Sequence, residues 1–333
     1  MGGFRRGVRL RAWARGGLSA SVALAAFFLF LPAPSVAPAP EGGHPLAGRI
    51  WSPAEGAFLG EEALLARLSR ARVVYLGERH DNPEHHLLQA RLLRALLRLG
   101  RRPALAFEMF TSEDAPALSR LLAEPGADLS KVPGIVGWER RGWPPWSLYA
   151  PLVEIGHGAG LPILAADLPA SLTRGVARRG LGALPPALAE ELALGPPEGD
   201  HRSLTIEELY GSHCRVVPRE RLGGLYDAWR ARNRSMALAL LRAIRGGAEG
   251  AVLIAGAGHA DRAMGVPRDL ASLAPGLGQF SLAFAEVRPG EERPEAYLER
   301  PGAHDALWFT SRHEREDPCL KYREGLERMR RGG

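Results

Sequence analysis

The chain has 333 residues, 46% hydrophobic and 24% charged, enough apolar material to bury a core, which excludes disorder throughout. Its 40 glycines and 27 prolines follow no period, which excludes collagen-like chains and repeat arrays. Most of the formal net charge of +6 comes from Arg5, Arg6, Arg9, Arg11 and Arg15; without those five, 38 basic residues face 37 acidic ones. No clustered basic face is left to mark a nucleic-acid partner.

Behind the basic stretch Met1–Arg15 lie fourteen mostly apolar residues, Leu18–Leu31. That is short of the ~20 needed to span a bilayer and matches the hydrophobic region of a signal peptide. Export to the periplasm or cell envelope is expected. Small residues at Ser35–Ala37 and Ala37–Ala39 suit cleavage, but Pro38 and Pro40 follow directly, so residues 1–31 are read as a signal peptide or an uncleaved N-terminal anchor. No cysteine lies near the apolar run to carry a lipid. Residues 32–47 read as a Pro-rich linker, 48–315 as an α/β domain and 316–333 as a basic tail. Cys214 and Cys319 stand 105 positions apart. Spacing alone leaves open whether they pair.

Within the domain, apolar β-type runs alternate with helical periodicity. Ala71–Leu76 predicts a buried strand and Pro83–Leu99 a helix, with Leu87, Leu88, Ala90, Leu92, Leu93 and Leu97 at helical spacing. Asn82 is a ready N-cap, with Pro83 at the first helical position. Further strands are expected at 104–107, 162–166, 251–255, 280–287 and 306–310. A helical insertion, about 170–246, separates the third and fourth and ends in a long helix, about 219–244. Strands without period-2 alternation, separated by helices, indicate a mostly parallel sheet with helices on both faces. An open sheet is expected, with a closed barrel as the alternative.

The strand ends carry the chemistry. Strand one runs into Gly77-Glu78-Arg79-His80-Asp81, strand two ends at Glu108, strand three at Asp167, and strand four at Gly256-Ala257-Gly258-His259. In extended chain Glu78 and His80 share a face. Ligands of parallel α/β sheets bind beyond the carboxyl ends of the strands, so Glu78, His80, Glu108, Asp167 and His259 are expected to line one cleft. The blander readings are that Asp167 and Asp81 cap loops or helices, and that the glycines only make a tight turn. No GxGxxG and no GxxxxGK[ST] is present.

His85 and His86 open the first long helix, but HExxH and HxxEH spacings are absent. Side chains ~100° apart let at most one share a site with His80; one exposed histidine and one at the cleft is the simple expectation. No GxSxG occurs, and Cys214 lacks an orienting group beyond His213. Trp138, Trp143, Trp146 and Tyr149 crowd together, which suits either core or a flat apolar ligand.

Taken together, GERHDN-PEHH after a strand, FEM around Glu108, Trp146 to Pro151, GAGH at His259, and the closing Asp305–Thr310 and Asp317–Cys319 resemble the ChaN-like haem-binding uptake proteins of the Tiki superfamily. The resemblance spans roughly 50–320. It implies non-covalent haem binding in haem or iron uptake, in keeping with the absence of a C-x-x-C-H attachment motif. It also implies haems stacked at a homodimer interface and an envelope haem transporter as a possible partner. Tyr149 matches the family's iron-ligating tyrosine, a hard phenolate suited to ferric iron. His157 and His85 are the candidates for a histidine that meets a propionate. Asn233 stands where the family pattern has an aspartate. The superfamily also holds metalloproteases and erythromycin esterases, and the paired GX2H patterns at His80 and His259 fit the former. The alternative is therefore a hydrolase, protease or esterase, working from the same cleft. It would use a divalent metal ion on His80, Glu108 and His259, or His80 as general base oriented by Glu108.

Overall fold

A computed structural model describes Gly2 and residues 43–124, 126–313 and 317–331. The expected signal or anchor segment 1–31 and most of the 32–47 linker lie outside these residues. The linker's last residues do belong to the fold: Leu46 is 2% exposed, packed with Trp51, Leu307 and Phe309.

Eight strands form one open sheet: β1 Ile50–Ser52, β2 Ala57–Leu59, β3 Val73–Glu78, β4 Ala104–Thr111, β5 Ile163–Asp167, β6 Ala251–Gly256, β7 Gln279–Glu286 and β8 Ala306–Thr310. Their order is β2-β1-β8-β7-β3-β6-β4-β5. The six long strands run parallel, and β1 and β2 add an antiparallel edge. The helices are α1 Glu61–Arg70, α2 Pro83–Arg98, α3 Ala115–Leu122, α4 Val132–Ile135, α5 Ala150–Gly158, α6 Ala170–Arg179, α7 Pro186–Leu192, α8 Gly199–Ser212, α9 Gly223–Arg245, α10 Ala257–Ala260, α11 Val266–Leu273, α12 Pro318–Lys321 and α13 Arg323–Arg331. The α/β expectation, with helices on both faces and the insertion helices between β5 and β6, matches this architecture.

Side-chain alternation along β3 divides the core. Val74 and Leu76 pack with Leu64 and Leu68 of α1 and Leu92, Leu93 and Leu96 of α2 on one face. Val73 and Tyr75 pack with Met236 and Leu240 of α9 and Val266 and Leu270 of α11 on the other. Each such aliphatic side chain contributes about 1.5–3 kcal/mol on burial. The α2 start is as expected, with Asn82 accepting from the Glu84 N–H at 2.9 Å and Pro83 in the first turn. Leu87, counted with the apolar stripe, instead points to solvent, 69% exposed, while His85, His86 and Gln89 take buried positions.

The chain leaves β3 toward β4 and β5, then returns to β6 beside β3 and leaves toward β7 and β8. Right-handed crossovers running in opposite directions land on opposite faces. The connection β3-α2-β4 therefore covers one face, and β6-α11-β7 the other. The β3/β6 seam is thus a switch point, where a crevice opens beyond the carboxyl ends. A disulfide joins Cys214 to Cys319, Cα to Cα 5.6 Å, and ties α12 and α13 to the end of α8. Neither thiol is left to act as a nucleophile.

Candidate functional site

Strand register sets Glu78 directly beside Gly256 at the seam. Glycine is required around it for close approach. A Cβ on Gly77 would lie 2.9 Å from Ala260 Cβ, one on Gly256 3.1 Å from His80 Nε2, and one on Gly258 2.9 Å from the Trp229 ring. The glycines of the GERH and GAGH motifs thus let α10, His80 and Trp229 close over the strand ends. On the other side of β6, the pairing of β4 with β5 shifts register between Phe107 and Thr111. Such irregularities re-aim side chains, and Glu108 stands within this one.

Glu78 is wholly engaged. Its Oε1 accepts from His80 Nδ1 at 2.9 Å and from the Tyr149 hydroxyl, and its Oε2 accepts from Gln89 Nε2 at 2.6 Å. His86 Nδ1 lies 3.3 Å from the same Oε2, while its Nε2 donates to the His80 carbonyl at 2.9 Å. Glu108 accepts from the Gly256 N–H at 2.8 Å and from Arg232 Nη2 at 2.7 Å, with His259 Nε2 at 3.3 Å. Arg232 also donates its Nε to Asp167 at 2.7 Å, bridging two carboxylates. His259 Nδ1 contacts Asn233 Oδ1 at 2.6 Å and the ring stacks on Trp229, 4.2 Å between centroids.

These contacts set the ionisation. Burial raises the Glu108 carboxyl, but the charges of His259 and Arg232 outweigh it and hold the group well below the usual carboxylate range. Burial likewise works against a charge on His80, yet the Glu78 hydrogen bond and the Glu108 charge leave it raised. Burial, then the Glu78 charge, push the Tyr149 phenol far above its ordinary value. With Nδ1–H given to Glu78, the neutral His80 ring keeps its lone pair on Nε2, 4.0 Å from Glu108 Oε2. A third of this side chain is exposed, whereas His86 and His259 are buried.

Beside the cluster opens a cleft of about 550 Å³, whose walls include Met109, Trp143, Leu168, Arg140, Arg174 and Arg232. Trp143 sets its ring edge-on to His80 at 5.1 Å between centroids. Arg140 and Arg174 have no ion pair among the described residues, whereas Arg141 is paired with Asp114 and Arg232 with Glu108 and Asp167.

The five strand-end residues Glu78, His80, Glu108, Asp167 and His259 therefore do converge. Other expectations need correction. Tyr149 is 0% exposed, packed on Trp138 and His86 with its hydroxyl committed to Glu78; as folded, it presents no oxygen to a ligand and its phenol is held protonated. His157 sits in the last turn of α5, about 12 Å along the helix from Tyr149 and toward the amino end of β5. His85 is buried too, accepting the Arg79 N–H at 2.9 Å and meeting Thr310 Oγ1 at 2.9 Å, and burial, then His86 and Arg79, lower it to about 3. Both helix histidines are thus interior, neither exposed. Glu78, not Glu108, orients His80. Among the described residues no three His, Cys, Asp or Glu side chains are placed to hold one metal ion. Within His80, Glu108 and His259, the Glu108 carboxylate is already taken by Arg232 and the Gly256 N–H.

Sequence reading missed Gln89, Trp229 and Arg232 as members of the site, and gave Asn233 no contact. One signal was available. Trp229, Asn233, Met236 and Leu240 recur at helical spacing, so Asn233 is a polar residue set in an apolar stripe.

The family model described as haem-binding uptake, Tiki superfamily, ChaN, matches residues 64–270. Among solved structures, ChaN of Campylobacter jejuni with cofacial haem is 19% identical, covering 78% of this chain and 95% of that one at a TM-score of 0.62. A type III effector, HopBA1, is 16% identical over 79% of this chain and 94% of its own, TM-score 0.40. An erythromycin esterase mutant in its open conformation is 17% identical over 70% and 76%, TM-score 0.37. No curated protein matches. The family model covers more than half of the chain, and the chain belongs to the ChaN-type haem-binding uptake family of the Tiki superfamily.

Proposed function

We propose that this chain is an exported protein that binds haem non-covalently for haem or iron uptake, with the haem seated at the cleft beside His80. The observation that carries the reading is the family match across β3 to α11. The residues fit such cargo. Trp143 supplies a half-buried aromatic ring for a flat macrocycle, and Arg140 and Arg174 are two guanidiniums suited to two propionates. Among the site's imidazoles His80 alone has an exposed edge. Its Nδ1 is anchored on a carboxylate, the arrangement that fixes an iron-ligating histidine. His80 is therefore the residue proposed to hold the iron, with Tyr149 as the alternative. The N-terminal basic and apolar segments and the Cys214–Cys319 disulfide support export to the periplasm or envelope. A second copy covering the open face of the haem, and an envelope transporter as its recipient, complete the proposal.

A haem titration of the purified chain by absorbance tests it. Saturable binding with a Soret band is expected. His80→Ala should lower haem affinity by at least tenfold, and Tyr149→Phe should keep the spectrum. A ferric tyrosinate-type spectrum lost in Tyr149→Phe and kept in His80→Ala would return the iron to Tyr149. Light scattering with and without haem reads the dimer.

One observation favours a second reading. In its neutral form the Glu78–His80 pair leaves the Nε2 lone pair free, the geometry of a general base for water once the pH exceeds the raised His80 pKa, and a metal-free hydrolase fits it where the His80–Glu108–His259 metal site does not. Turnover of ester substrates by the unmodified protein, lost in His80→Ala, would favour it over haem carriage.

A further inference from the structure

Helix α9 serves two places at once. Arg232 turns toward the strand ends, while Arg230 and Arg234, one turn apart on another side of the helix, line a separate cleft of about 300 Å³ between α9, α11 and the α7–α8 connection. Arg268 of α11 and His201 of α8 line it too.

Three guanidiniums meet two carboxylates here. Arg268 pairs with Glu198 and Arg234 Nε lies 3.2 Å from Asp269 Oδ1, while Arg234 Nη1 donates to Ser272 at 3.2 Å. Arg230 has no carboxylate within ion-pair distance among the described residues, although its charge reaches Glu198, Asp227 and Asp269. It is 9% exposed, donates Nη2 to the Gly195 carbonyl at 2.5 Å, and its buried Nη1 has no hydrogen-bond partner there. A buried, uncompensated guanidinium N–H is costly, and an anion is what relieves it. Glu198, whose side chain is 70% exposed, shows how: it already places a carboxylate on Arg268 at the rim, and a ligand oxyanion would take over that contact. His201 adds no charge of its own, since burial and the nearby Arg268 lower its pKa and its Nδ1 is engaged with the Tyr226 hydroxyl at 3.0 Å.

We infer that this cleft is an anion site, separate from the strand-end site, that takes a phosphate group, either free or as the head of a small phosphomonoester. A tetrahedral oxyanion offers acceptors to several guanidinium forks at once, where a carboxylate offers two oxygens.

Calorimetric titration of the full chain with inorganic phosphate, and with glycerol phosphate, tests the inference. Saturable binding of one anion per chain is expected, and the tighter of the two ligands distinguishes free phosphate from a head group. Arg268→Gln, a partly exposed position, should weaken binding at least tenfold. Glu198→Gln should strengthen it several-fold by removing the competing carboxylate, an effect that a merely structural role would not give. Arg230→Gln should abolish binding if the chain remains folded. No saturable heat with either anion, or affinities unchanged by both Arg268→Gln and Glu198→Gln, would overturn the proposal.

Discussion

Glu108 is buried and Glu208 half-buried, yet they shift in opposite directions. Glu108, at the strand ends, receives Arg232, His259 and a backbone N–H, and its carboxyl is held well below the ordinary range. Glu208, on α8, is pushed up to about 7, first by burial and then by the charge and hydrogen bond of Glu299. One guanidinium, Arg300, must serve Glu208 and Glu299, both at 3.6 Å, as well as Asp261 at 2.5 Å. The difference lies in who faces the carboxylate: the strand ends bring cations to their carboxylates, and the α8 edge gathers acids around one cation. Burial alone decides neither case.

The strongest way to break this contrast is to take the cation from Glu108. Arg232→Met leaves Glu108 and Asp167 buried at 3% and 6% side-chain exposure without their shared partner. Loss of one member of a buried ion pair costs about 3–5 kcal/mol. Urea unfolding at pH 7 should show that loss. A variant as stable as the parent would mean that His259 and the Gly256 N–H compensate Glu108 unaided.

A smaller effect tests the close approach that assembles the strand-end cluster. Gly77→Ala places a Cβ 2.9 Å from Ala260 Cβ and 3.0 Å from Ala257 Cα. Backbone cannot yield as a flexible side chain can, so a loss of about 1–3 kcal/mol is expected. The displaced segment carries His259, so the loss should come with weakened haem binding at the neighbouring cleft. Unchanged thermal unfolding would show that α10 moves aside freely.

Which parts of this contrast were legible in the sequence follows from their period. Glu78 and Asp167 close apolar runs, His259 follows one by a short turn and Glu108 breaks into one; a parallel sheet brings its carboxyl ends to one edge, so their convergence was readable. Asn82 and Pro83 gave the α2 start for the same local reason. Strands β1 and β2, three residues each, are too short to show alternation and exist because β8 offers a pairing edge. The extension of β4 to Thr111 depends on a register shift against β5, a property of two strands that neither segment displays alone. The fate of Tyr149 was not legible either: a tyrosine near tryptophans reads the same whether its hydroxyl faces a ligand or a buried Glu78. Arg232, Arg230 and Glu208 act through helix faces whose neighbours are distant in sequence.

The subtlest effect belongs to the acidic side of the comparison. Glu208 has a raised pKa in the folded chain, about 7 against an ordinary 4.5. Its contribution to stability is therefore fully kept below about pH 4.5 and lost as the pH rises through 7, because ionising it in the fold sets a second negative charge against Glu299. Glu208→Gln supplies a permanent N–H donor to Glu299 and carries no charge. Its advantage over the parent should be near zero at pH 4, grow between pH 4.5 and 7, and then level off. With 28% of the Glu208 side chain exposed, solvent screening reduces the plateau to about 1 kcal/mol. Thermal unfolding of both chains from pH 4 to 8 measures the curve. A constant difference across that range would mean that Arg300 already neutralises the pair, and that the α8 edge and the strand ends solve the same problem in the same way.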